Sequence, residues 1–285
     1  MKKILALFIL GCSFFTAFAQ DEGYKHETFG MDFTLSAEKK IRSGMSFTLE
    51  GEARTQDNTR KMERWTVGGE FDMRLFQTSD KKFNLKASVG WKYMWRFNMS
   101  KNTPKYEEET KVTPTGTTTE TYYEGYNDRK GYWRGRHRTS ISLAANYKLN
   151  KRWSFQLKET FQYTHFCKDS TTVDKYRLED EDDPESLYLR ETTTKVYEPQ
   201  DRSMLRSKLT AQYNIRHCPV NPYASVDYGF DFTYTVNKWK FTLGTDINLD
   251  KNKQHKLDVF YRYTTQNGDD DPNGHLLGMG YNFKF

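Results

Sequence analysis

Residues 83–97 read FNLKASVGWKYMWRF. Phe83, Leu85, Ala87, Val89, Trp91, Tyr93, Trp95 and Phe97 are apolar, while Asn84, Lys86, Ser88, Gly90, Lys92, Met94 and Arg96 lie between them. Successive side chains of a strand point to opposite faces, so this stretch is a strand with one greasy, aromatic face and one basic face. It is far longer than the roughly 5–6 residues of an ordinary strand, and it suits a tilted bilayer crossing, which takes about 9–11 residues in the hydrocarbon. Slipping it by one residue would turn Lys86, Lys92 and Arg96 into lipid. At roughly 2–4 kcal/mol each near the midplane, that cost specifies the register well.

The same alternation recurs at Phe33 and Leu35, Phe47 and Leu49, Trp65 and Val67, Ile141 and Leu143, Phe155 and Leu157, Leu205 and Leu209, Val226 and Tyr228, Phe241 and Leu243, Val259 and Tyr261, and Met279 to the final Phe285. With the opening stretch this makes eleven candidate strands. Short links fall near residues 42–44, 78–81, 150–152, 217–221 and 250–254. Long ones span 98–132 and 167–201, and shorter outer loops lie near 56–61 and 266–274. Alternating short and long connections are those of an outer-membrane barrel with periplasmic turns and extracellular loops. The expected fold is therefore all-β, an antiparallel transmembrane β-barrel with two long extracellular inserts. Because an even strand number is the rule for such barrels, about twelve strands are expected, with ten as the alternative. The inserts carry hairpin patterns of their own, near 106–123 and 176–197. Glu159 interrupts the outward apolar face of its strand, which predicts a bulge or an early end to the membrane band there.

Composition agrees with a barrel. Aromatic residues make up 16% of the chain, as interfacial girdles require, and the mean hydropathy of −0.92 is natural where half of each strand faces a polar lumen. Trp65, Trp95 and Trp239 fall near outer strand ends and Trp153 at an inner end. The N-terminus reads as a secretory signal: Lys2 and Lys3, an apolar stretch over 4–18, and a small-x-small site at Ala17 and Ala19. Residues 1–19 are expected to be a signal peptide cleaved near Ala19, and 20–285 a single outer-membrane barrel domain. A net charge of +6 from 44 basic and 38 acidic residues, spread through strands rather than run together, argues against nucleic-acid binding. Cys167 and Cys218 map to opposite barrel ends and are expected to be free thiols.

The inward positions are charged. Glu50, Glu52, Arg54, Glu70, Asp72, Arg74, Lys86, Lys92, Arg96, Arg136, Arg138, Arg206, Lys208, Asp246, Asp258 and Arg262 form a candidate lumen network, with Lys158 and Asp231 beside them. A network of paired charges filling a narrow barrel is the simpler reading, and a selective pore or binding cavity is the functional one. Asp269, Asp271 and Asn273 open like a calcium loop, but Gly280 stands where the closing Glu belongs. They remain a candidate outer-loop Ca2+ site, and no other cofactor is expected. The acidic run over 179–185 reads as a solvated loop tip. Tyr122, Tyr123, Tyr126, Tyr132 and Trp133 are a candidate sugar-binding platform or simply part of a girdle. His137 and Ser140 are the nearest pair for a hydrolase, but alternation puts them on opposite faces of one strand, and no Gly-x-Ser-x-Gly element exists.

Residues 47–54 (FTLEGEAR) resemble the second strand of the domain-of-unknown-function family 2490, predicted outer-membrane proteins of Gram-negative bacteria. Residues 205–209 (LRSKL), 219–223 (PVNPY) and 275–285 (HLLGMGYNFKF) are similar too, and the two long inserts depart from that pattern. The resemblance implies location and architecture. It carries no assigned activity and so transfers no catalytic residue. The function expected is that of a non-enzymatic barrel, structural, surface-binding or narrow-pore. A small-solute channel and a lipid-modifying hydrolase are the alternatives. The expected partners are outer-membrane lipids, lipopolysaccharide and the barrel-assembly machinery, reached through the last strand ending in Phe285.

Overall fold

The computed structural model describes residues 28–285 apart from 114–115, 180–182, 184–185, 234–236 and 267–273. Fifteen strands follow one another: β1 (Thr28–Arg42), β2 (Met45–Gln56), β3 (Lys61–Gln77), β4 (Phe83–Asn98), β5 (Lys101–Thr113), β6 (Gly116–Arg129), β7 (Tyr132–Lys148), β8 (Trp153–Phe166), β9 (Asp169–Leu178), β10 (Leu187–Tyr197), β11 (Gln200–Tyr213), β12 (Val220–Asp231), β13 (Asn237–Asn248), β14 (His255–Gln266) and β15 (Gly274–Lys284). Eleven close a barrel in the order β1-β15-β14-β13-β12-β11-β8-β7-β4-β3-β2, and β10-β9-β6-β5 form a separate four-stranded sheet.

The wall thus has eleven strands where parity suggested twelve or ten. All neighbouring pairs are antiparallel except the closing one: β1 and β15 run parallel from Thr28 opposite Gly274 to Glu38 opposite Lys284. The even-number rule holds when the closing pair must also be antiparallel. A parallel ladder satisfies the same backbone donors and acceptors, so an odd wall closes with no free edge. Eleven strands about 4.8 Å apart and tilted by about 40° enclose a backbone cylinder about 22 Å across.

The outward positions form one apolar band. Leu35, Leu49, Val67, Val89, Ile141, Leu157, Leu209 and Leu243 are all exposed, as lipid contact demands. Trp65 lies opposite Trp95 near the insert-bearing end, and Trp153 opens β8 at the other. Glu159 produces no bulge, for β8 pairs with β7 and β11 without a register shift. Its carboxylate stays on the outer face and accepts a hydrogen bond from the Ser207 hydroxyl at 2.6 Å, supplied by the residue directly opposite on β11. One same-face donor is enough to hold a carboxylate there, so the backbone need not deviate.

The inserts fold as the hairpins β5–β6 and β9–β10. They join through five rungs between β6 and β9, from Gly125 opposite Arg177 to Arg129 opposite Val173. Cys167 lies just past β8 at the insert end, Cys218 in the β11–β12 turn at the opposite end, and both are free thiols.

Candidate lumen site

Among the described residues a cavity opens at each end of the barrel. The outer one, about 580 Å³, lies at the insert end, and the inner one, about 320 Å³, is lined by Glu38, Asp72, Arg74, Lys86 and Lys284 among others. Between them the lumen is crossed by ion pairs that belong to neither lining. Lys92 Nζ meets Glu50 Oε1 at 2.5 Å, and Lys158 Nζ meets Glu70 Oε1 at 3.3 Å.

Both pairs are long-reach contacts made over glycines. Glu50, Gly68 and Lys92 share one rung of β2, β3 and β4. A Cβ added to Gly68 would lie 2.6 Å from Lys92 Cγ, so the missing side chain is what lets Lys92 lie across β3 to Glu50. Glu70 likewise passes Gly90, where an added Cβ would sit 3.5 Å from its Oε2, and reaches Lys158 two strands further round. All four belt side chains keep a little over a quarter of their surface exposed, at 28–29%. The belt therefore narrows the lumen without being packed shut.

The wall around the outer cavity is electrically lopsided. On the β1–β3 side cations are matched: Arg54 is bonded to Asp32 and lies 3.2 Å from Glu52, Arg64 Nη2 lies 2.5 Å from Glu52, and Arg96 of β4 lies 3.4 Å from Glu63. On the β7–β14 side seven basic residues line the cavity, Arg136, Arg138, Arg202, Arg206, Lys238, Lys240 and Arg262, against Asp227 as the acidic one. Arg202 is bonded to the fully buried Asp231 and Arg206 to Asp227. Nearer the inner end, Asp246 accepts from Gln212 at 2.6 Å and pairs with Lys256 at 2.8 Å, and Asp258 accepts from the Tyr223 hydroxyl at 2.9 Å.

Of the charges picked out by alternation, Glu50, Glu52, Arg54, Glu70, Lys92, Arg96, Arg206, Asp246 and Asp258 enter ion pairs or hydrogen bonds of the lumen as above. Asp72, Arg74 and Lys86 line the inner cavity, Arg136 stacks its guanidinium 4.4 Å from the Phe166 ring, and Lys208 sits opposite Asp227. Asp32, Glu63, Arg64, Asp227 and Lys240 belong to the same system and were not among them. Asp32, Asp227 and Lys240 obey simple alternation with Phe33, Val226 and Phe241, so the signal was present. Glu63 is displaced by the register shift at Arg54 and Thr55, which no pattern announces.

The aromatic residues of the first insert do not make one platform. Tyr126 stacks on Tyr176 at 4.9 Å, Tyr123 packs against Tyr106 at 5.8 Å, Tyr132 stacks on Tyr197 at 5.0 Å, and Trp133 meets Trp95 and Phe97 on the outer wall. His137 stacks on Trp91 at the outer face, while Ser140 faces inward, its Oγ 3.0 Å from the Cβ position of Gly90. Asp269, Asp271 and Asn273 lie outside the described residues, as do most of the acidic run over 179–185 and the secretory stretch. Among the described residues no group of three metal-ligating side chains converges.

No protein-family model matches the chain, and no curated protein is recognisably similar to it. Among solved structures, it is similar to the beta domain of the Bordetella autotransporter BrkA, at 14% identity over 86% of each chain with a TM-score of 0.48. It is also similar to the anion-selective porin from Comamonas acidovorans, at 12% identity over 86% of this chain and 83% of that one, with a TM-score of 0.28. Both are likenesses of fold alone.

Proposed function

We propose that the chain is a non-enzymatic barrel of the bacterial outer membrane that serves as a narrow passage for small solutes. The observation that carries this reading is the lumen profile: an outer and an inner chamber separated by a partly exposed belt of ion pairs rather than by a packed apolar plug. Long flexible side chains can re-pair as a solute passes, which close-packed apolar side chains cannot do without opening a cavity. The secretory reading of the N-terminus and the closed wall support the outer membrane as its location, with lipids, lipopolysaccharide and the assembly machinery as partners. The separation of His137 and Ser140 onto opposite faces supports the absence of hydrolase chemistry.

Planar-bilayer recording of the refolded protein tests the reading. Small, salt-dependent unitary steps are expected, and Lys92→Ala combined with Lys158→Ala should enlarge them by removing the belt's long arms. Silence of both proteins would reject a passage.

A further inference from the structure

We propose that the outer chamber holds a binding site for a small soluble polyanion bearing phosphate-like oxygens, built by Arg138, Arg262 and Lys240. Two of these side chains share an unusual arrangement. Arg138 donates its Nε to Thr164 Oγ1 at 3.1 Å, and Arg262 donates its Nε to Thr242 Oγ1 at 3.2 Å. Both threonines are buried, on the strand next to their arginine, and Arg262 also lies over the Phe260 ring at 4.6 Å. Each guanidinium is thereby held from behind by a neutral partner, which leaves its terminal N–H groups for the chamber. That is the fork that grips an oxyanion with two parallel hydrogen bonds.

On the β1–β3 side of the same chamber the corresponding N–H groups are taken by carboxylates, Arg54 by Asp32 and Arg64 by Glu52. Among the described residues no carboxylate lies within ion-pair distance of Arg138, Arg262 or Lys240. The one directly opposite Lys240, Asp227, is already bonded to Arg206. The three basic side chains line one cavity of about 580 Å³, Arg138 from β7 and Lys240 and Arg262 from β13 and β14, four and five strands round the wall. The volume is within the size range of ligand sites, and a multiply charged anion between them meets basic groups from both sides. The surrounding wall separates this chamber from the lipid, so the ligand is a solute and not a membrane headgroup.

The inference deepens the passage reading by naming a solute class, yet binding can be measured without flow. Calorimetric titration of the refolded full-length protein with inorganic pyrophosphate, at about 0.1 M salt to screen the exposed charges, should show saturable binding. Arg138→Gln, Arg262→Gln and Lys240→Gln should each weaken it roughly tenfold, the loss of a charge-assisted contact. Thr242→Val should also weaken it, though all charges remain, whereas Lys151→Gln in an inner turn should not. Heat-modifiable mobility on gels identifies the variants that fold. No binding, or equal affinity in every folded variant, overturns the site. In bilayers, binding without conductance rejects the passage and keeps the site. Conductance that prefers cations, with no pyrophosphate binding, rejects the site and keeps the passage.

Discussion

The Asn282 side-chain amide donates to the Ser36 hydroxyl at 2.7 Å across a ladder in which β15 and β1 run in the same direction. This parallel seam turns an odd set of strands into an edgeless wall. It also puts the first residue of β1 at the insert end and the last of β15 at the turn end.

Replacing Ser36 and Asn282 with cysteine, in a background where Cys167 and Cys218 are serine, should give one intramolecular disulfide, since adjacent strands bring the two Cα atoms within bridging range. Peptide mass spectrometry after mild oxidation reads it. A folded protein whose two cysteines stay reduced would show that the barrel does not close through this register.

Gly278 lies under the ring of Phe260, where an added Cβ would run into the ring. The ring fills the space above a strand residue that has no side chain of its own. Gly278→Ala should destabilise the barrel by about 1–3 kcal/mol through overpacking. In the Phe260→Ala background the same change should cost much less, because the clash has gone. Additive costs in urea unfolding from vesicles would argue against the contact.

Glu159 sits among Leu157, Phe161 and Leu143 on the lipid side, with Ser207 as its donor. Glu159→Leu should leave the fold intact and stabilise it by about 1 kcal/mol, less than the roughly 2–4 kcal/mol that a basic residue costs at the midplane. Ser207→Ala should be harmful only while Glu159 is present, since it strands a carboxylate without a partner. An unchanged Ser207→Ala cost in the Glu159→Leu protein would separate the two residues.

In the outer sheet Asp128 and Asp174 lie directly opposite each other, and Lys130 Nζ joins them at 2.7 and 3.0 Å. The hydrogen bonds from Lys130 and then Thr192 hold the Asp174 carboxyl below its ordinary value, and those same two aspartates raise the Lys130 ammonium. A depressed carboxylate contributes stability that is present above the unfolded pKa and is lost as pH falls through the folded one. The clamp should therefore be complete from about pH 4 to about pH 10, between the ordinary aspartate and lysine values, and should fail below that range. Hydrogen-exchange protection at the β6–β9 rungs, taken relative to the intrinsic rate at each pH, should fall on acidification below about pH 4 while the barrel strands stay protected. Lys130→Met, which leaves two like charges face to face, should lower it already at neutral pH. Unchanged exchange in that variant would show that the five-rung join does not depend on the clamp.

Alternation from Phe83 to Phe97 and its ten counterparts determined the wall by itself: which strands exist, which residues meet lipid and which meet the lumen. A bilayer imposes a two-residue period on a strand whatever its partners are, so each segment carries that information locally. Three things were decided only by the tertiary structure. Parity was one, because whether the closing pair is parallel depends on two strands nearly the whole chain apart. The outer sheet was another, because the two hairpins could be read singly but their joining at β6 and β9 could not. The third was the sense of the lumen charges. Lys92 has Glu50 because Gly68 lies between them, and Arg138 and Arg262 have threonines instead of carboxylates. Such pairings depend on which side chains share a height on neighbouring strands, a property of register around the whole closed wall and not of any one strand.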